Sequence, residues 1–162
     1  MSMMLRRKVE VARTQYETSE DLRRESEVAQ AIADRKGDEW AKVPAHYAHF
    51  CDVVFIRKGE IVCYCEVRCR NMKWGQYPDI LMSVHKWNSG VSLVASTRKP
   101  WLFAVSVEEG IFGFLLKPDE EVPALKQSFA GRTKQQRDNA DIEPVIHLPV
   151  SSFKMLVRRE PL

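Results

Sequence analysis

The spacing of apolar residues predicts a helix over residues 19–35. Its apolar positions recur at roughly helical intervals: Leu22, Val28, Ala29 and Ile32. Thr18 can cap the first turn together with Asp21, three residues later, and Gly37 can end the last turn. The chain therefore opens its ordered part with an amphipathic helix.

Runs rich in β-branched and aromatic residues predict the strands. Residues 39–44 can form a short first strand that Pro44 closes. Residues 50–70 contain two such runs joined by Lys-Gly-Glu, and residues 101–116 contain two more with Glu-Glu-Gly at the tip. Short connections of this kind are typical of β-hairpins, so we expect two hairpins.

A second helix is predicted over residues 77–90, from Pro78 near its first turn to Gly90 at its end. One face of this helix carries Ile80, Val84 and Trp87. The opposite face carries Asp79, Ser83 and Lys86. After Pro118 the pattern weakens into a polar loop, and residues 145–156 indicate a late strand followed by a short turn or helix.

The order of predicted elements favours an α/β fold in which a mixed central β-sheet is flanked by helices, and a segregated α+β arrangement is also possible. We expect residues 1–162 to form a single domain. Its core would span about 19–116, with an N-terminal extension over 1–18 and a loop plus a C-terminal strand over 117–162.

Composition adds that the chain is an ordinary soluble globular protein, with 44% hydrophobic and 29% charged residues. The net charge of +3 is low, so binding to a polyanion would depend on local clusters of Lys and Arg. The opening segment is too short and polar for a signal peptide, and no run of 18 apolar residues occurs. We expect a cytoplasmic protein with no membrane partner, whose four cysteines are thiols or metal ligands.

Strand periodicity separates the side chains of residues 61–70 into two faces. Odd positions give Ile, Cys, Cys, Val and Cys, whereas even positions give Val, Tyr, Glu, Arg and Arg. The cysteines are therefore expected to pack in the core as small apolar residues. Zinc binding is the alternative, through Cys63, Cys65 and Cys69 with His46 or His49, although a long strand lacks the tight turn of most zinc sites.

Glu66 interrupts a run that otherwise has the character of a buried strand. A buried carboxylate must be paired with a cation or bind a metal. Arg68 lies two residues on and on the same face, so an internal ion pair between these residues is one explanation. The other is a functional site.

In the order of these features, the chain resembles the PD-(D/E)XK, or restriction-endonuclease-like, nuclease superfamily. That pattern has a helix with a glutamate, a strand that begins with aspartate, and a following strand with Glu-x-Lys before a helix. Here Asp52 begins Asp-Val-Val-Phe, and Glu-Val-Arg follows one hairpin later at 66–68. The continuation also resembles small phage-type members, and the resemblance covers about residues 20–116.

The resemblance implies a metal-dependent nuclease that hydrolyses phosphodiester bonds in DNA with Mg²⁺ or Mn²⁺. Asp52 and Glu66 would be metal ligands, the Val67 carbonyl a third, and Glu25 the helix glutamate, with Glu27 and Glu20 as substitutes. Hard cations held by carboxylates suit this chemistry, because they activate water and stabilise charge on phosphate.

The chain departs from the family pattern at two positions. Cys51 stands where the family has proline, and Arg68 stands in the lysine position. Arginine keeps its proton and cannot act as a general base, although it can stabilise phosphate charge. If a lysine is required, Lys86 is the first candidate and Lys73 the second.

Cationic and aromatic residues near this site can contact nucleic acid. Candidates close to Glu66 are Arg70, Lys73 and Trp74, with Tyr77 nearby. A later acid-free stretch adds Lys126, Arg132, Lys134 and Arg137. The partner is then DNA, with a homodimer possible, and the alternative is a non-catalytic nucleic-acid-binding or interaction module that retains the fold.

Overall fold

The computed structural model describes residues 18–44, 51–131 and 142–160. The helices there are α1 (Ser19–Lys36) and α2 (Val84–Thr97). The first strands are β1 (Glu39–Lys42), β2 (Val53–Arg57), β3 (Glu60–Cys69) and β4 (Asp79–Ser83). The later strands are β5 (Trp101–Val107), β6 (Gly110–Leu116), β7 (Gln127–Gly131), β8 (Ile142–Pro149) and β9 (Lys154–Arg158), with a 3-10 turn at Val150–Ser152.

The strands form two sheets. The larger has the order β1-β2-β3-β5-β6-β9, in which only the β3–β5 pair is parallel among the described strands. The smaller, antiparallel sheet has the order β4-β8-β7. A parallel pair needs a crossover connection, which β4 and α2 supply here. The predicted mixed sheet flanked by helices is confirmed.

Each face of the larger sheet carries its own apolar core. On one face α1 packs Val28, Ala29, Ile32 and Ala33 against β2, β3 and β5. On the other, Trp87 of α2 and the inner face of the smaller sheet pack against Trp101 and Phe103 of β5. A methyl group on Gly90 would lie 2.5 Å from the Trp101 ring, so α2 can approach the sheet this closely only with glycine there. Neither described helix is long and apolar enough to cross a membrane.

The predicted ends of α1 are confirmed. The Thr18 hydroxyl accepts a hydrogen bond from the Asp21 N–H at 3.1 Å, and the Asp21 carboxylate accepts one from the Thr18 N–H. Gly37 ends the helix in the left-handed region, with φ of 71°. This reciprocal capping box satisfies main-chain donors that the first turn of a helix leaves without partners.

Both predicted hairpins are confirmed. The turn between β2 and β3 has positive φ at Lys58 (52°) and Gly59 (77°). Two consecutive residues with positive φ are typical of a type I′ turn, and the twist of such a turn matches that of the flanking strands. The register then shifts by one residue between Phe55 and Ile56, and beyond this shift Val53 lies opposite Cys65 near the far end of the ladder.

The helix predicted over 77–90 is wrong at both ends. Residues 79–83 form β4, and α2 begins at Val84 and continues beyond Gly90 to Thr97. Ser83 is the cap, and its hydroxyl accepts a hydrogen bond from the Lys86 N–H at 3.1 Å. Ile80 and Met82 alternate into the core as β4 pairs with β8, so Asp79, Ser83 and Lys86 do not share a helical face.

The C-terminal part contributes more strands than the sequence predicts. β7 lies in the stretch predicted as a polar loop, and β9 begins at Lys154, inside the end of the 145–156 segment where the sequence predicts a short turn or helix. β9 pairs with β6 and so completes the larger sheet at its outer edge. Neither strand shows the alternation of apolar and polar residues that predicts a strand, and each is stabilised by pairing with a neighbour, β7 with β8 and β9 with β6.

Candidate functional site

Asp52 and Glu66 lie across from each other on neighbouring strands. Since Val53 pairs with Cys65 in an antiparallel ladder, the next residues outward are Asp52 and Glu66, whose side chains share a face. Both residues are buried, with 8% and 4% of their surface exposed. The Val67 N–H donates a 2.8 Å hydrogen bond to Asp52 Oδ2, which fixes that carboxylate at the end of the ladder.

Lys86 forms an ion pair with Glu66 through Oε1. It reaches this position from the first turn of α2, whose N-terminus is fixed by the Ser83 cap. Burial raises the pKa of Glu66 to about 7; Lys86 opposes that rise, and the charge of Asp52 adds to it. The electrostatic effect of Asp52 on Glu66 is what two neighbouring carboxylates produce. The centre thus consists of two buried acids and one lysine.

The donor set of this centre suits a small hard cation. Mg²⁺ is commonly held by one or two carboxylates and keeps several water ligands. Among the described residues, no group of three or more His, Cys, Asp or Glu side chains could hold a metal ion. Within the described ranges, Asp52 and Glu66 are the acids that the strand pairing brings together, so they are the candidate side-chain ligands. A carboxylate such as Glu66, whose charge is disfavoured by burial and by a neighbouring carboxylate, is a group that a bound cation stabilises.

The candidate glutamates of α1 lie in different environments. Glu25 is buried and forms an ion pair with Lys42 at the end of β1. Glu20 and Glu27 are exposed and form ion pairs with Arg23 on the surface of the same helix. Of these three, Glu25 alone faces the protein interior.

Arg68 is held by groups other than Glu66, so the described residues do not form the internal ion pair that was one of the two explanations for Glu66. Its guanidinium donates a hydrogen bond to the Leu81 carbonyl and lies 5.2 Å from the centre of the Phe103 ring. Burial, and to a smaller extent the charge of nearby Arg70, lower the pKa of Arg68 to about 10. The side chain remains a cation at neutral pH, attached to β4 beside the Glu66–Lys86 pair.

The cysteines of β3 pack as the alternation predicts. Cys63 and Cys65 are buried against α1, and half-buried Cys69 packs beside them. Burial raises the pKa of Cys63 to about 11 and that of Cys65 well above its ordinary value, so these thiols are protonated at neutral pH. His46 and His49, the other candidate zinc ligands, lie outside the described residues.

The candidate nucleic-acid contacts are distributed over several environments. Arg70 and Lys73 are exposed. Trp74 is partly buried, and its ring stacks on Phe112 with centroids 4.0 Å apart, so one of its faces is already covered. Arg132, Lys134 and Arg137 lie outside the described residues.

Three polar side chains are linked by hydrogen bonds across the smaller sheet, and the sequence alone does not predict this arrangement. His147 Nδ1 lies 3.2 Å from Asp79 Oδ2, and His147 Nε2 lies 2.7 Å from the Ser128 hydroxyl. These residues come from β4, β8 and β7, and they share the face directed away from the apolar core. Only the pairing of the three strands brings them together, so neither local spacing nor composition signals them.

Comparison with known proteins identifies a family. The family model described as "Phage putative PDDEXK endonuclease" matches residues 11–156. One solved structure with a similar arrangement is that of Hjc, a Holliday junction resolvase from Archaeoglobus fulgidus, with 14% sequence identity and a TM-score of 0.45. The match covers 56% of this chain and 72% of that one. A comparison with curated protein sequences finds no significant match.

Proposed function

The chain belongs to the family of phage putative PDDEXK endonucleases, and from that premise we propose that it is a metal-dependent nuclease that hydrolyses phosphodiester bonds in DNA. One observation carries the proposal: a buried pair of acids, Asp52 just before β2 and Glu66 within the neighbouring β3, with Lys86 bound to Glu66. These are the residue types that phosphodiester hydrolysis requires, gathered from three separate segments.

We assign Asp52 and Glu66 as the ligands of Mg²⁺ or Mn²⁺, with the Val67 carbonyl as a further oxygen donor. When bound, such a cation would activate water and neutralise charge on the scissile phosphate. The protein's part is to hold both carboxylates in a dry, fixed geometry. The Val67 N–H does this for Asp52, and the Lys86 ammonium does it for Glu66.

Lys86, rather than Arg68, fills the lysine role in this proposal. Its side chain is 46% exposed, so the ammonium can reach a substrate phosphate while it still contacts Glu66. An amine can also exchange a proton with water, whereas a guanidinium keeps its proton. Arg68 then serves as a fixed positive charge beside the centre.

Glu25 supports the centre indirectly. It pairs with Lys42, and Lys42 lies opposite Val53, the residue that follows Asp52. The ion pair thereby attaches α1 to the end of the sheet where the two acids lie. We therefore assign Glu25 to positioning of this edge, and its loss should affect stability as well as activity.

The test is a cleavage assay on single-stranded, duplex and branched DNA with Mg²⁺, with Mn²⁺, and with chelator. Asp52→Asn and Glu66→Gln should each reduce the cleavage rate at least about a hundredfold, because each removes a charged ligand oxygen. Glu27→Gln, on the exposed surface of α1, is the matched control and should retain the wild-type rate.

A second pair of variants tests the lysine assignment. Lys86→Met should reduce cleavage about a hundredfold, in line with the loss of a general acid or base. Lys73→Met, at an exposed lysine, should not. Cleavage that survives in both Asp52→Asn and Glu66→Gln would contradict the site. Salt-dependent DNA binding without cleavage under any divalent cation would instead favour the non-catalytic module.

A further inference from the structure

A cavity of about 520 Å³ lies beside the proposed centre and is open to solvent. It is bounded by the end of β3 and by the segment that leads into β4. Two cations, Arg68 and Arg70, line one part of it. The other part is mostly apolar, and Asp79 and His147, which contact each other, complete the wall; the apolar and aromatic lining residues are Met72, Tyr77, Pro78, Ile80 and Leu81. Its volume falls within the range of sites for small organic ligands.

The cationic part of the cavity is built to receive an anion. The guanidinium of Arg68 is fixed by the Leu81 carbonyl and by the Phe103 ring, so it is positioned before any ligand arrives. Arg70 is exposed, and its Nη1 donates a 3.0 Å hydrogen bond to the Cys69 carbonyl. Guanidinium groups have the planar, multiple-donor geometry that phosphate oxygens accept.

The other part of the cavity suits a flat aromatic group. Tyr77 is 54% exposed, so its ring is accessible to a ligand, and Leu81 beside it is also exposed. Both nitrogens of His147 are engaged, one with Asp79 and one with Ser128. The imidazole is therefore held in one orientation as part of the cavity wall. Nucleobases bind between aromatic and apolar surfaces of this kind.

The cavity is next to the proposed catalytic centre. Arg68 follows Glu66 by two residues on the same strand face, a separation of about 7 Å along β3. On the opposite side, Leu81 precedes the Ser83 cap by two residues, and that cap sets the position of Lys86. A nucleic-acid strand whose phosphate lies at the centre would therefore pass the mouth of the cavity.

We propose that this cavity receives one unpaired nucleotide of the DNA substrate, with its base against Tyr77 and its phosphate at Arg68 and Arg70. The inference rests on the proposed function, since it names the substrate class of that same centre. A base inside an intact duplex is stacked and paired, and it must leave the helix to enter such a pocket. The substrate class is thus DNA with an unpaired nucleotide, as in a single strand, a bulge, a flap or a branch.

The experiment measures binding of the full-length protein by fluorescence anisotropy in the presence of chelator. It uses three DNAs of one sequence: a continuous duplex, the same duplex with one extra unpaired adenine, and the same duplex with an abasic residue in that extra position. The adenine bulge should bind about tenfold more tightly than the other two, because stacking of one base on an aromatic side chain has an effect of that size.

Variants then test the cavity itself. Tyr77→Ala should remove the preference for the bulge, and Tyr77→Phe should retain it. Leu22→Ala removes an exposed apolar side chain from α1 and should leave the preference unchanged. Equal binding of the three DNAs, or a preference that survives Tyr77→Ala, would overturn the inference. The inference would also be overturned if free dAMP competed as effectively as the bulged DNA, because the cavity would then be a site for free nucleotides.

Cleavage of the same three DNAs with Mg²⁺ separates this inference from the proposed function. A Tyr77-dependent preference in binding, with no cleavage of any DNA, would contradict the nuclease and support the cavity. Equal, metal-dependent cleavage of all three DNAs, unaffected by Tyr77→Ala, would support the nuclease and contradict the cavity.

Discussion

Glu66→Gln tests the electrostatics of the centre without any assay of activity. In the folded chain, burial and the charge of Asp52 raise the pKa of Glu66 from its ordinary value of 4.5 to about 7. Between these two values the folded chain binds a proton that the unfolded chain has released. The free energy of unfolding must therefore fall as pH rises through this window and level off above it.

The size of the effect follows from the shift. Each pKa unit corresponds to about 1.4 kcal/mol. The shift of Glu66 therefore destabilises the wild-type protein by about 3 kcal/mol between pH 4.5 and pH 7.5 relative to a residue that does not titrate. Glutamine keeps the shape and can still accept a hydrogen bond from Lys86, so Glu66→Gln isolates the charge.

Urea denaturation in chelator, repeated across this pH range for wild type and variant, measures the difference. Glu66→Gln should become steadily more stable than wild type as pH rises, by up to about 3 kcal/mol. Leu22→Ala, which removes an exposed side chain that does not titrate, should give a flat difference curve. A flat curve for Glu66→Gln, or one in which the variant loses relative stability as pH rises, would refute the reasoning. A flat curve would mean that the charge of Lys86 offsets the effect of burial on the pKa of Glu66, and a falling curve would mean that it exceeds that effect.

Three further predictions concern groups around the centre. Arg68→Lys should reduce DNA cleavage rather than enhance it, because Lys86 already contacts Glu66 and the new side chain cannot reproduce the planar contact with Phe103; enhanced cleavage in steady-state assays would contradict this. Lys42→Met should lower the free energy of unfolding in urea by about 2–3 kcal/mol, because the buried carboxylate it pairs with loses a cation; a change within error would contradict the assignment. With iodoacetamide at pH 7.5, half-buried Cys69 should be alkylated before the buried cysteines, as read by mass spectrometry of peptides; prior modification of a buried cysteine would contradict the placement of β3.

The part of the centre that lies on β2 and β3 could be predicted from sequence because it depends on one local hairpin. A two-residue period and a short turn determine which side chains share a face. Those rules direct Cys63 and Cys65 to the face opposite Glu66, as the structure confirms, whereas the position of Asp52 opposite Glu66 also needs the one-residue register shift between Phe55 and Ile56. Each step needs only residues that are close in the chain.

The rest depends on contacts between distant segments. Ile80, Val84 and Trp87 fit a helical period, yet β4 forms because β8, more than 60 residues later, supplies main-chain partners. The Glu66–Lys86 pair likewise depends on how the crossover between β3 and β5 returns α2 to the sheet. For that reason the sequence could offer Lys86 and Arg68 as alternatives, and the structure was needed to show which one contacts Glu66.

The location of a bound divalent cation tests the account most directly. Anomalous scattering from crystals of the wild-type protein soaked in Mn²⁺ would locate it. We expect a peak within about 2–2.5 Å of one Asp52 carboxylate oxygen and one Glu66 carboxylate oxygen. Peaks confined to other residues, with none between these two carboxylates, would contradict the proposed centre.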